Sequence, residues 1–496
     1  FRFLLILLVY LLASKNMLAS HGAGFDITYE CVNQGATSDE YKIILKYYRD
    51  CSSSSTANST FSLQYSSSCG SGFASIPQVS GPTFITPLCP GAADTCLNTG
   101  FVELEEYIYE KNIILTHCSD WVISVCANGN RNGAINTIIN PTNQELCVEA
   151  EINNTNICNS SPTFSEYPVP YICVNQTYCY NNGAIDLEGD SLVYSLVTPL
   201  NNSGGVSYAP GFSPSSPIVG TTVFDALTGD LCLSPSQVNV SVIAMKITEY
   251  RNGIKIGSVI RDIQIIILNC STTPPILTGF NNTPQNVTNA SALDDSLHFC
   301  VTGTDAINFP ISAQLGSSMN KNMYWSGISG IPSASFSVSN NFSNNPTGIF
   351  NWTPQYLDVS NSPYTFTVTV EDDACPVNNI FSYTYTVTPS SALDFDIIVD
   401  TTSPSCVNYN DGKIDLIIAG TTGSTSYTWS GPNGFQSIDQ NIDSLYEGDY
   451  FLTITDQAGC VKLDTIEIVD PLSLNIYVLM DSVSCIGNND GAIDIT

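Results

Sequence analysis

The chain has 496 residues, with 14 Lys and Arg against 45 Asp and Glu, a formal charge of −31. Only 12% of the residues are charged, and the few bases are scattered, which excludes a nucleic-acid binder with a basic footprint. A hydrophobic content of 43% with 10% aromatic residues excludes a disordered acidic tail, and the length predicts roughly three to five packed units.

Residues 1–20 open with an apolar run from Phe3 to Ala13 behind Arg2. The run falls short of the roughly 20 residues that span a bilayer. With small residues at Ala19, Ser20 and Gly22, it reads as a signal peptide. No later run reaches transmembrane length, so the expected product is exported and carries no membrane span in this stretch. The 18 cysteines form no tight C-x-x-C pair, and the histidines are His21, His117 and His298. Disulfides in an oxidising compartment are therefore expected rather than zinc.

Along the rest of the chain the dominant signal has period two. Tyr41, Ile43, Leu45 and Tyr47 alternate, as do Phe366, Val368 and Val370, then Tyr383, Tyr385 and Val387, and finally Tyr450, Leu452 and Ile454. Alternation with β-branched and aromatic enrichment, punctuated by Gly, Pro, Asn and Ser, predicts half-buried antiparallel strands. Short strands without helical connectors predict tandem β-sandwiches. The expected fold class is all-β.

A Cys-rich β unit is expected over 21–165. Two related sandwiches follow over 166–272 and 276–390, separated at Thr273-Pro274-Pro275. Their kinship rests on TGDLCLSP from Thr228 and TGIFNWTP from Thr347. A repeat then fills 391–470: Cys406, Asp411, Gly412 and Asp415 return as Cys485, Asp490, Gly491 and Asp494. The second copy, 471–496, holds only the start of the period, and the parent protein is expected to continue. Cys300–Cys375 and Cys406–Cys460 are the expected staples, each closing one sandwich. Tyr450, opening a late strand, has the place of a corner tyrosine.

The residues fit no catalytic constellation. There is no G-x-S-x-G elbow, H-E-x-x-H or P-loop. His117, beside Cys118, reads as packed near a disulfide, and His298 reads as a strand-face residue. No catalytic or cofactor-binding residue is assigned. The carboxylates Asp186, Glu188 and Asp190 alternate around Gly189, a hard-oxygen set that suits Ca²⁺; a solvated turn before a strand is the competing reading. Asn410-Asp411-Gly412 and Asn489-Asp490-Gly491 read as tight turns, and Glu371, Asp372 and Asp373 form a further acidic strand end.

The pattern Cys406…Asn410-Asp411-Gly412…Tyr427-Thr428-Trp429…Leu445…Gly448-Asp449-Tyr450…Gly459-Cys460 resembles the SprB-type repeat of Bacteroidetes surface proteins. DITYEC from Asp26, CSDW from Cys118, RNGAI from Arg131 and GAIDLEGDSLVYSL from Gly183 are similar to the N-terminal region of gliding-motility-associated exported proteins. The two central units look like cadherin-like or immunoglobulin-like modules. Family members often carry paired cysteines before RNGAI, where this chain has Cys126 and Ala127, which leaves the partner of Cys126 open. The resemblance implies type IX secretion and display on the outer membrane or release. Export, tandem stapled β units and the lack of a catalytic constellation predict a non-enzymatic stalk or adhesin that contacts a polysaccharide or protein. The alternative function is a spacer or sugar-binding region of a secreted enzyme.

Overall fold

The computed structural model describes residues 22–51, 56–86, 101–168, 171–280 and, with short breaks, 295–495. The expected signal peptide lies outside the described residues. The fold is all-β, and among the described residues the helical elements are short 3-10 turns. Among the described residues no helix is long and apolar enough to cross a membrane. The residues group into two compact bodies. One holds 1–297, 306–353 and 364–387; the other holds 298–305, 354–363 and 388–496.

In the first body the predicted alternation is visible residue by residue. Tyr41, Ile43, Leu45 and Tyr47 on strand Ser38–Asp50 point inward and are buried, while the intervening side chains are half-exposed. That strand pairs with Gly22–Gln34 on one side and Leu104–Thr116 on the other. Inside, Phe25, Tyr47, Phe61 and Tyr109 pack ring to ring with centroids 4.6–5.4 Å apart. Edge-to-face aromatic contacts of this kind add to what area burial alone supplies.

The expected division at 165/166 is not a boundary between sheets. Strand Ile254–Leu268 pairs with Gly22–Gln34 at Ile263↔Gly24 and with Glu145–Ile152 at Val259↔Ala150. The hydrogen-bond path Ile254–Leu268, Gly22–Gln34, Ser38–Asp50, Leu104–Thr116, Gly70–Phe84, Thr60–Ser67, Trp121–Asn130 and Glu145–Ile152 thus returns to its start. A closed sheet leaves no edge for unwanted pairing. Buried on both faces from Ile256 to Ile265, the strand carries no period-two alternation that would have revealed its double partnership.

Of its three charged residues, Arg261 and Asp262 are adjacent and point to opposite faces, and each is paired. Arg261 Nε and Nη2 donate to the two Asp26 carboxylate oxygens at 2.9 and 2.6 Å. Asp262 accepts from Arg131 Nη1 and Nη2 at 2.9 and 2.6 Å. All four side chains are buried, so Arg131 of the RNGAI segment is a structural residue of this sheet.

Residues 275–390 build two four-stranded sheets. One runs Pro275–Leu277, Ile307–Leu315, Thr347–Trp352, Ser335–Ser339. The other runs Ser296–Cys300, Ile380–Ser390, Tyr364–Asp372, Lys321–Ser326. Pro275, read above as linker, opens the first strand; an edge strand tolerates its missing N–H. Phe309, Phe350 and Phe366 stack in series, with centroids 4.8 and 4.6 Å apart. The two segments that carried the kinship signal, Leu231–Pro235 and Thr347–Trp352, are each an inner strand of a sheet.

In the second body the first repeat copy packs a three-stranded sheet, Asp396–Thr402, Gly412–Ala419 and Ile442–Leu445, and a four-stranded one around Trp429, Tyr450 and Leu445. The second copy reproduces the first hairpin in register: Asp400↔Asp415 returns as Leu479↔Asp494.

Candidate functional site

Six disulfides are described: Cys31–Cys158, Cys69–Cys118, Cys126–Cys147, Cys173–Cys270, Cys179–Cys232 and Cys300–Cys460. This density belongs to an exported protein. Cys126 meets Cys147 directly across paired strands. Both expected staples are overturned by Cys300–Cys460. Strand Ile380–Ser390 begins near the Cys375 turn and ends at Ser390, whose carbonyl accepts the N–H of Val301, next to Cys300. Cys300 therefore lies at the far end of that strand from Cys375, which is itself disulfide-bonded elsewhere. Cys406 is free and exposed. Its loop is held by Asn408 N–H donating to Asp470 at 3.0 Å, at the Gly448↔Ile468 end of a hairpin whose other end carries buried Cys460.

Of the predicted calcium ligands, the fold brings together Asp186 and Asp190 and adds Glu249. One carboxylate oxygen from each lies within 4.8 Å of the others. Asp186 and Asp190 flank the turn at Gly189, which takes a φ of 81°, a left-handed conformation that glycine adopts at little cost. Asp186 Oδ1 accepts the Asp190 N–H at 2.8 Å and closes this turn. Glu249 is delivered by strand Val240–Arg251, where it pairs with Leu192, two residues past Asp190. Glu188 departs from the cluster: exposed, it accepts the Ser160 N–H at 3.1 Å.

Glu249 is completely buried. Its Oε2 accepts the Tyr29 hydroxyl at 3.1 Å and its Oε1 accepts Asn159 Nδ2 at 3.1 Å. Cys31–Cys158 pins the segment that supplies Asn159. A Cβ on Gly257 would sit 2.0 Å from the Tyr29 oxygen and 2.5 Å from Glu249 Oε2, so only glycine fits there. Burial, then the facing Asp186 carboxylate, pushes the Glu249 carboxyl up to about 9. Asp190 receives Arg251 in a two-pronged pair, Nε and Nη2 each at 2.6 Å. Asp186 Oδ2 is sealed from solvent with no donor but the facing Glu249 carboxyl.

The other acidic candidates are turns. Asp411 Oδ1 accepts the Ser405 N–H at 2.8 Å, and Asp490 Oδ1 repeats the contact with Ser484 at 3.1 Å. Asp372 is buried and accepts from the Ala374 and Asn379 backbone, while Glu371 and Asp373 turn to Asn378 and to Ser318 with Asn320. His117 contacts Asp39 at 3.2 Å beside the Cys69–Cys118 bond, and His298 is exposed on its strand. Cys126, Glu145 and Cys147 also cluster, but their sulfurs are bonded to each other.

A second polar cluster joins distant parts of the first body. Asp230 accepts from Asn181 Nδ2 at 2.8 Å, from Thr384 N–H at 3.2 Å and from the Thr384 hydroxyl at 3.0 Å. Nearby, Tyr178 accepts the Ile380 N–H, and the Tyr324 hydroxyl donates to Glu166. Sequence reasoning missed both Glu249, a single acid within a strand, and Asp230, which closes the turn before strand Leu231–Pro235.

No family model and no curated protein matches the chain. Among solved structures it is similar to the mouse nectin-like molecule 4 ectodomain, Ig1–Ig3, at 8% identity over 62% of this chain and 99% of that one, with a TM-score of 0.21. It is also similar to the N-terminal four Ig domains of Dscam1 isoform 4.44, at 8% identity over 90% and 99%, TM-score 0.21. A third is the mouse clustered protocadherin PcdhgC3 EC1–3, at 9% identity over 61% and 100%, TM-score 0.18.

Proposed function

We propose that this chain is the stapled tandem-sandwich region of an exported surface protein, a stalk that presents adhesive loops to a polysaccharide or protein. In this reading it is type IX secretion cargo of the gliding-motility-associated class, displayed on the outer membrane or released. The observation that carries the reading is the Cys300–Cys460 bond, which ties strand Ser296–Cys300 covalently to the first SprB-type copy. A covalent joint holds under tension where a few hydrogen bonds would part, and a stalk is loaded in tension. The Asp230–Asn181–Thr384 cluster supports it by locking strands of 166–272 onto 276–390.

The test is deletion of residues 22–470 from the surface-displayed protein. Attachment of cells is expected to be lost while the remainder still reaches the surface, and export is expected to stop in a strain lacking type IX secretion. Attachment that survives the deletion overturns the adhesive reading. So does turnover of a glycan, ester or peptide that vanishes on replacing His117 or His298.

A further inference from the structure

The Asp186, Asp190 and Glu249 carboxyls converge from a turn and a strand, with Arg251 as the one cationic side chain in contact with the cluster among the described residues. Arg251 is engaged in the two-pronged contact with Asp190. Among the described residues no ion pair reaches Asp186 or Glu249. Glu249 is fully buried, where a carboxyl ionises readily only if a cation meets it. A second observation points to a ligand: Asp186 Oδ2 is sealed from solvent with no donor but the facing Glu249 carboxyl, and two carboxyl oxygens brought together need a proton or a cation between them. Every neighbouring ligand atom is oxygen, including the Tyr29 hydroxyl. An all-oxygen set drawn from a turn and a strand suits a hard cation with flexible coordination, Ca²⁺ rather than Mg²⁺.

We propose that Asp186, Asp190 and Glu249 bind one Ca²⁺ ion, and that Glu188, despite its place in the sequence motif, is not a ligand. The ion ties the 186–190 turn to strand Val240–Arg251 and, through Tyr29 and Asn159, to the segment pinned by Cys31–Cys158. With three protein carboxylates and one of them shared with Arg251, the affinity is of extracellular grade, on the order of 10⁻⁴–10⁻³ M. This site stands independently of the adhesive reading.

Terbium is the probe, because Tyr29 lies beside the site and transfers excitation to a bound Tb³⁺. The full chain is expected to show tyrosine-sensitised Tb³⁺ emission, displaced by Ca²⁺ with a midpoint of about 0.1–1 mM. Ca²⁺ in tenfold excess over Kd is expected to raise the melting midpoint by about 2–4 °C. Asp186→Asn and Glu249→Gln each lose the emission and the shift, and Glu188→Gln keeps both. Metal-free melting of each variant shows that it folds; Asp186, on a half-buried turn, provides the informative variant if Glu249→Gln does not. Emission absent from the unaltered chain, emission retained in Asp186→Asn, or a melt indifferent to Ca²⁺ overturns the site and leaves two carboxyls that share a proton only.

Discussion

Cys300 and Cys460, 160 residues apart in sequence, form one disulfide with their Cα atoms 4.8 Å apart. The Ser390 hydroxyl lies 3.6 Å from the Cys460 sulfur, so the bond sits where strand Ile380–Ser390 leads into the first repeat copy. Non-reducing peptide mapping is expected to recover Cys300 linked to Cys460. Cys406 and Cys485, both free and exposed, should alkylate without reduction. Replacing Cys460 by Ser removes a cross-link that closes a long loop and is expected to cost roughly 2–5 kcal/mol. A Cys406–Cys460 peptide would refute the arrangement.

Tyr450 shows the same copy at the scale of one hydrogen bond. Its hydroxyl donates to the Tyr446 carbonyl at 3.1 Å, the corner geometry expected from its position, and its ring meets Phe435 edge-on at 5.4 Å. Tyr450→Phe keeps the ring and loses only the bond, an expected loss of about 0.5–1.5 kcal/mol in denaturant unfolding. Gly431→Ala is expected to cost more, because its Cβ would lie 2.6 Å from the Tyr450 ring. Equal losses in the two variants would mean that the corner bond counts for as much as the seating of the ring.

These features differ in how far the sequence disclosed them. Alternation in YKIILKYY was legible because one face of that strand is apolar and the other is not. The repeat was legible down to the Asp411 and Asp490 turns, since a tight turn demands the same few residue types each time it is built. Glu249 was not legible. It lies 63 residues beyond Asp186 (249 − 186) on strand Val240–Arg251, and only strand pairing with Leu192 brings it to the turn. The staples failed for a related reason: proximity in sequence favoured Cys375 and Cys406, whereas the strand ends that meet are those of Cys300 and Cys460. The Ig-like and cadherin-like character of the middle was read as sandwiches, yet the front sheet closes across 165/166 through a strand without alternation.

That strand carries the third prediction. Arg131 and Asp262 are both about 2% exposed or less, and Arg131 also donates to the Leu200 carbonyl at 3.0 Å. Removing one partner strands a buried charge, so Arg131→Met is expected to destabilise the first body by about 3–5 kcal/mol. The double variant Arg131→Met/Asp262→Leu removes both charges and is expected to recover much of that loss. A double variant no more stable than the single one would show that the Leu200 contact, and not the charge pair, matters most.

Asp230 supplies the pH prediction. It is buried with strong hydrogen bonding, and its carboxyl is raised from 3.8 to about 6, by burial first and against the pull of the Asn181, Thr384 and Thr228 donors. The folded state therefore holds this proton between pH 3.8 and 6, where the unfolded chain has released it. Stability from this group is greatest below 3.8, declines as pH rises to 6, and is level above that. The difference amounts to about 3 kcal/mol at 1.36 kcal/mol per pKa unit. Glu151 opposes it at lower pH. Although burial works the other way, hydrogen bonds from Lys255, Lys246 and Ser258 lower its carboxyl from 4.5 to about 2, so its contribution is lost as pH falls through that range. The clean readout is the stability of the unaltered chain minus that of Asp230→Asn, whose amide oxygen still accepts from Thr384 but does not titrate. That difference should fall by about 3 kcal/mol between pH 3.8 and 6 and stay flat above pH 6. A difference that is flat throughout, or that rises with pH, would mean that Asp230 is already ionised in the folded protein at acidic pH, with its four donors outweighing its burial.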